Sequence, residues 1–205
     1  MPVDLCPDRF SEYPQGEVVL IDMSDIPLEV VVDVVRFVYT TELEVTPKTV
    51  GPMMKCAEEL GLDAVIKLCE EFLDAVTADT AIFYYSIAEN YNLAAALRDR
   101  IYLFILENFV EIAQSKHFLY MPLDRVRCLL TDDRLRVGSE MEVFVVLMRW
   151  LNFDREERMP AAAGLMREAV RMQHISPECL VKDVESVDWI FGDAECQAVL
   201  NDAIR

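Results

Sequence analysis

The sequence predicts a mainly α-helical chain, with short strands confined to its first quarter. Three observations carry this. The first is Pro27 to Val45, where five valines between positions 30 and 35 favour a strand by propensity. The polar residues Glu29, Asp33, Arg36 and Thr40 overrule it, because spacings of i, i+4, i+7 and i+11 make one stripe on a helix. The second is a series of apolar faces at helical spacing, each bounded by capping or breaking residues. The third is Ser139 to Asp154, where an S-x-x-E capping box opens a long apolar run.

Residues 1–16 carry Pro2, Pro7, Pro14 and Gly16, and are expected to be irregular. Glu17 to Asp22 reads as a short strand. The central helix follows, with Pro27 suited to its first position. It is expected to be buried on most sides with a single wet edge. Thr40 and Thr41 end it, and Leu43-Glu44-Val45 alternates like a second short strand. Thr46-Pro47 caps a helix running to Leu60, which Gly61 stops. Another helix fills Leu62 to Val76.

A helix from near Thr80 to Tyr91 is broken at Asn92 and restarted by Leu93 as far as Phe109. Shorter helices are expected at Val110–Ser115 and Leu123–Leu130. After the Ser139 helix, with Phe144 and Trp150 in the core, come a helix from Met159 to Val170 and one started by Ser176-Pro177. A last helix begins at Asp193.

Composition narrows the function. Asp and Glu number 37 against 19 Lys and Arg, a net charge of −18. Nucleic-acid affinity needs cations to meet phosphates, so a DNA or RNA role is disfavoured, as is an anionic membrane surface. No apolar run approaches the roughly 18 residues that span a bilayer. Asp4 and Asp8 sit where a secretory leader needs basic and apolar residues, so an intracellular protein is expected, cytoplasmic with the nucleus as a second compartment.

The 6 cysteines form no C-x-x-C pair and read as free thiols packed like small hydrophobes. His117 and His174 lie in different segments without partner motifs. No nucleophile–base pair, phosphate loop or metal constellation is visible, so no catalytic residue, cofactor or metal is assigned.

Phe37-Val38-Tyr39-Thr40, followed by CAEELGLDAVIKLCEEFL from Cys56, resembles the second half of a BTB/POZ domain. MEVFVVLMRWLNFDREER from Met141 and the Asp193–Leu200 segment resemble helices of the BACK domain. These landmarks keep the order found in the kelch-like family. The resemblance implies a partial BTB/POZ domain over 17–76, short strands plus helices, and an all-helical BACK domain over 77–205. Within the latter, 77–108 corresponds to the helix pair called the 3-box. It also implies a BTB domain lacking its first half, as in a shortened isoform or fragment. The chain has only 6 glycines and no glycine-rich period near 50 residues, so no kelch repeat is read in it.

The resemblance further implies a non-catalytic scaffold that binds cullin-3 in a ubiquitin ligase. Phe10-Ser11-Glu12 precedes the Glu17–Asp22 strand by the interval at which cullin-binding BTB domains carry a hydrophobic-x-Glu motif. Its other reading is a loop aromatic tucked onto its own domain. Tyr84, Tyr85 and Tyr91 are candidate contacts on the 3-box, against a reading of Tyr84 and Tyr91 as core residues with wet hydroxyls. Other BTB proteins are a second partner class, although the dimerising first helix has no counterpart here. The alternative functions are a cytoskeletal or transcription-linked scaffold, or a truncated competitor of full-length adaptors.

Overall fold

A computed structural model describes residues 20–179 and 192–204. The described residues are mainly α-helical and contain no strand. The chain divides into two compact units, one ending at Leu103 and one beginning at Phe104.

In the first unit, α1 (Leu28–Thr40) packs on α2 (Val50–Leu60), and α2 on α3 (Asp63–Asp74). α4 (Ala81–Asn90) follows, and α5 (Ala95–Glu107) carries the chain across the division. Val34, Met54, Val65 and Leu73 are fully buried in this unit. Pro27 is the N-cap of α1 and not its first helical residue, one position earlier than the sequence implies.

Caps explain the helix boundaries. Gly61, at φ 65°, closes α2: its N–H donates to Glu58 O at 3.3 Å, and Leu62 N–H donates to Ala57 O at 2.9 Å. Asn92, at φ 50°, closes α4 in the same manner, with Leu93 N–H donating to Ala88 O at 2.8 Å. Both are Schellman ends, which need a residue that accepts the left-handed conformation. Two Thr-x-x-Thr pairs open α2 and α4. Thr46 N–H donates to Thr49 Oγ1 at 3.1 Å, and Thr77 N–H donates to Thr80 Oγ1 at 3.0 Å. Each turn so formed delays its helix, to Val50 and to Ala81.

Two sequence expectations need correction here. Leu43-Glu44-Val45 forms no strand, because no neighbouring strand among the described residues offers its backbone a ladder. The expected strand at Glu17–Asp22 lies partly outside the described residues, and its described part, 20–22, carries no strand. The second concerns α1. Only Val30, Val34 and Phe37 are buried, while Leu28, Val32, Val35 and Tyr39 are exposed. Its outer side is therefore apolar as well as polar, because α2 covers one face alone.

The second unit is built around α9 (Glu140–Phe153) and α10 (Arg155–Ala169), which pack together. α7 (Lys116–Leu119) packs on α9, while α8 (Leu123–Leu130) and α12 (Ala194–Ile204) pack on α10. α6 (Phe109–Ile112) precedes α7, and α11 begins at Pro177. Ser139 accepts from Glu142 N–H at 3.4 Å, while the Glu142 carboxylate accepts from Gly138 N–H at 2.7 Å. This is the expected capping box, with the carboxylate reaching one residue further back. α10 starts four residues before the expected Met159, and Pro160 sits inside it. The proline forfeits one helical hydrogen bond near the N-terminal end, where the loss is small beside the packing gained.

Candidate partner-binding surfaces

The second unit is held by side chains that close helix ends. The last carbonyls of a helix lack partners within it. Arg149 donates to Ala113 O at 2.6 Å and to Gln114 O at 2.8 Å, just past the end of α6. Arg158 donates to Leu119 O at 2.8 Å, closing α7, and to Trp150 O at 2.6 Å, in the last turn of α9. Its guanidinium lies 3.9 Å from the centre of the Trp150 ring. Trp150 is itself 1% exposed and donates through Nε1 to Met121 O at 3.0 Å. Desolvation lowers the Arg158 pKa, against the raising influence of Asp154 and Glu157. These groups are structural: among the described residues, their side-chain hydrogen bonds go to backbone carbonyls.

The candidate contact residues fall in different environments. Phe10 and Glu12 lie outside the described residues. Tyr84 is 6% exposed, with its ring 5.7 Å from that of Phe72, and so belongs to the core of the first unit. Tyr85 is half-buried and packs against Tyr102 at 5.5 Å. Tyr91 is half-buried at the end of α4, and its ring covers Gly51. A Cβ at Gly51 would stand 2.6 Å from Tyr91 Cε2 and 2.9 Å from Ile87 Cγ2, so the glycine is what lets α2 and α4 approach. Of the three tyrosines, Tyr85 and Tyr91 keep a surface that a partner can touch.

Two apolar features are exposed. One is the apolar stripe of α1, formed by Leu28, Val32, Val35 and Tyr39. Its 4-3-4 spacing is readable, but in a run with so few polar residues it does not stand out from the buried face. The other is an apolar groove of about 250 Å³ between α6 and α9, bordered by Val110, Ala113, Val145 and Val146. Below the C-terminal end of α1 lies a polar depression of about 650 Å³, lined by Asp33, Arg36, Glu42 and Glu44 among others.

Cys56, Cys69 and Cys196 are buried. Burial pushes the thiols of Cys69 and Cys196 up to about 12, and raises that of Cys56. Glu70 adds to the shift at Cys69, and Asp193 to that at Cys196. These three are packed hydrophobes rather than nucleophiles. Cys128 is exposed. Among the described residues, no group of three His, Cys, Asp or Glu side chains is gathered to hold a metal. Among the same residues, no helix is long and apolar enough to cross a membrane.

Comparison with known families gives two matches in succession. Residues 8–77 match the BTB/POZ domain, and residues 81–185 match BACK, "BTB And C-terminal Kelch". The second match alone covers half of the chain. The chain belongs to the BTB-BACK family of kelch-like proteins. It is similar to Kelch-like protein 31 of Homo sapiens, 32% identical over 186 residues, which are 90% of this chain and 29% of that protein. It is similar to Kelch-like protein 26 of Mus musculus, 30% identical over 171 residues, 83% of this chain and 28% of that protein. Kelch-like protein 3 of Homo sapiens is 28% identical over 185 residues, 90% of this chain and 31% of that protein. The chain thus spans 28–31% of the length of these relatives.

Proposed function

We propose that the chain is a non-catalytic interaction module of a cullin-3 ubiquitin ligase adaptor. The observation that carries this reading is the succession of BTB and BACK matches in one chain whose relatives are kelch-like proteins. Such a module does no chemistry. It holds a partner at a set distance from an enzyme that does.

The proposed contacts are Phe10 and Glu12, with Tyr85 and Tyr91 on the α4–α5 pair as a second surface. An exposed aromatic seated in a pocket can dominate an interface, so Phe10 is assigned the anchor role. The net charge of −18 supports a basic or mixed-charge partner surface. Cytoplasm, with the nucleus as a second compartment, is the proposed location, and imaging a fluorescent fusion of the chain checks it.

The test is capture of the cullin-3 N-terminal domain by the immobilised chain. Capture that is lost in Phe10→Ala supports the assignment. Equal capture by Phe10→Ala removes Phe10 from the interface. A folded chain that captures none contradicts the reading.

A further inference from the structure

The apolar groove between α6 and α9 is bracketed by two opposite charges that the fold holds in place. Glu142, Val145, Val146 and Arg149 stand at i, i+3, i+4 and i+7 of α9, which is one stripe on a helix. Val145, in the middle of the stripe, is 52% exposed, and Val110 and Ala113 form the facing wall. At one end the Glu142 carboxylate is fixed by Gly138 N–H at 2.7 Å. At the other the Arg149 guanidinium is fixed by Ala113 O and Gln114 O, at 2.6 and 2.8 Å. Neither charge is exhausted by these bonds. A guanidinium carries five N–H donors and a carboxylate accepts several hydrogen bonds, so each can meet a second partner. Seven residues of α-helix separate them, about 10.5 Å along the axis.

Size and shape select the occupant. A volume of about 250 Å³ lies below the roughly 300–1,000 Å³ of small-molecule sites, so the groove takes side chains rather than a whole ligand. An apolar stripe with helical spacing is the surface against which an amphipathic helix lays its own apolar face. The charges set what flanks that face: an acid opposite Arg149 and a base opposite Glu142. They also set its direction. A helix antiparallel to α9 brings its N-terminal end to Arg149 and its C-terminal end to Glu142. Its acid then lies towards its own N-terminus and its base towards its C-terminus, where the helix dipole favours each. A parallel helix needs the reverse order, against its dipole.

We propose that this groove is a docking site for an amphipathic helix of a partner protein. The helix lies antiparallel to α9 and carries an acid and a base two turns apart, with apolar residues between them. The groove shares no residue with the contacts proposed for cullin-3, so the two readings stand or fall separately.

The probe is a fluorescein-labelled, alanine-rich peptide of about 18 residues, long enough to hold a helix in water, with Glu, Leu, Leu and Lys at i, i+3, i+4 and i+7. Fluorescence anisotropy with the full chain is expected to show saturable binding. Val145→Asp sets a short charge in the groove and is expected to weaken binding at least about tenfold. Unchanged helical circular dichroism in that variant shows that the fold persists. A twin peptide with both leucines replaced by alanine, which leaves the chain untouched, is expected to lose as much. A second twin with Glu in place of Lys sets an acid against Glu142 and is expected to bind several-fold more weakly at low salt. A nitroxide at the N-terminal end of the peptide is expected to broaden amide resonances around Arg149 more than those around Glu142. No saturation up to millimolar peptide overturns the proposal, and so does binding indifferent to Val145→Asp or to loss of the leucines. Equal binding of the second twin overturns the charge bracket, and stronger broadening around Glu142 overturns the antiparallel direction.

Discussion

Arg158 lies at the point where three helices of the second unit meet, and removing it has a calculable cost. It closes α7 through Leu119 O and α9 through Trp150 O, and it stacks on the Trp150 ring. A hydrogen bond with a charged partner contributes about 1.5–3 kcal/mol when well shielded. Solvent still reaches this half-buried group, so about 1 kcal/mol for each bond is the reasonable figure. The cation–π contact adds about 0.5–1 kcal/mol. Arg158→Ala is therefore expected to destabilise the second unit by about 2–3 kcal/mol. Arg158→Lys keeps the charge but loses the planar fork, and should recover at most about half of that. Urea denaturation followed by circular dichroism and tryptophan emission measures both. A loss below about 0.5 kcal/mol for Arg158→Ala, the range of an ordinary surface substitution, would refute the capping account.

Three further predictions concern packing and titration. Gly51→Ala gains roughly 1 kcal/mol of helix propensity but brings a Cβ into the Tyr91 ring, an overpacking cost of about 1–3 kcal/mol. The expected net effect is destabilisation by about 1 kcal/mol, partly relieved in the double variant with Tyr91→Ala, as a double-mutant cycle by urea denaturation would show. An aromatic disulfide reagent applied to the native chain is expected to modify Cys128 quickly. Cys56, Cys69 and Cys196 should follow only on unfolding, as peptide mapping of the labelled sites would reveal. Asp193 accepts from Cys196 N–H at 2.8 Å and from Glu195 N–H at 3.0 Å, and these bonds lower its carboxyl pKa. A depressed carboxylate stabilises the fold above its unfolded pKa near 4 and loses that contribution as pH falls through the folded value. The N-terminal end of α12 is thus expected to fray as the solution is acidified below about pH 4, and hydrogen exchange at Glu195 and Cys196 would record it.

Much of the helical order was legible because the termini announce themselves in single residues. Gly61 and Asn92 take the left-handed conformation, and Ser139 caps Glu142 N–H while the Glu142 carboxylate reaches back to Gly138 N–H. The same local signals existed at Thr46–Thr49 and Thr77–Thr80, where two hydroxyls bond each other at 2.8 and 3.1 Å, but a Thr-x-x-Thr pair has no carboxylate to mark it. What pattern could not supply was which faces are covered. The valines of α1 look alike in sequence, yet Val34 is wholly buried and Val35 is 44% exposed, because coverage depends on α2 and not on residue type. The strand at Leu43–Val45 failed for a related reason: alternation shows fitness for a sheet, not the presence of a partner strand.

Among the candidate contacts, Tyr84 and Tyr85 are adjacent and chemically identical. Only the fold separates the buried ring from the half-exposed one. Arg149 and Arg158 carried no signal at all, since their acceptors are backbone carbonyls as far as 39 residues away.

The central claim is that this chain is an interaction module for cullin-3, and a calorimetric titration with the cullin-3 N-terminal domain tests it most directly. The account predicts saturable binding that Phe10→Ala weakens by about 1–4 kcal/mol. The absence of heat and of any complex by light scattering, from a chain whose circular dichroism shows it folded, would contradict it.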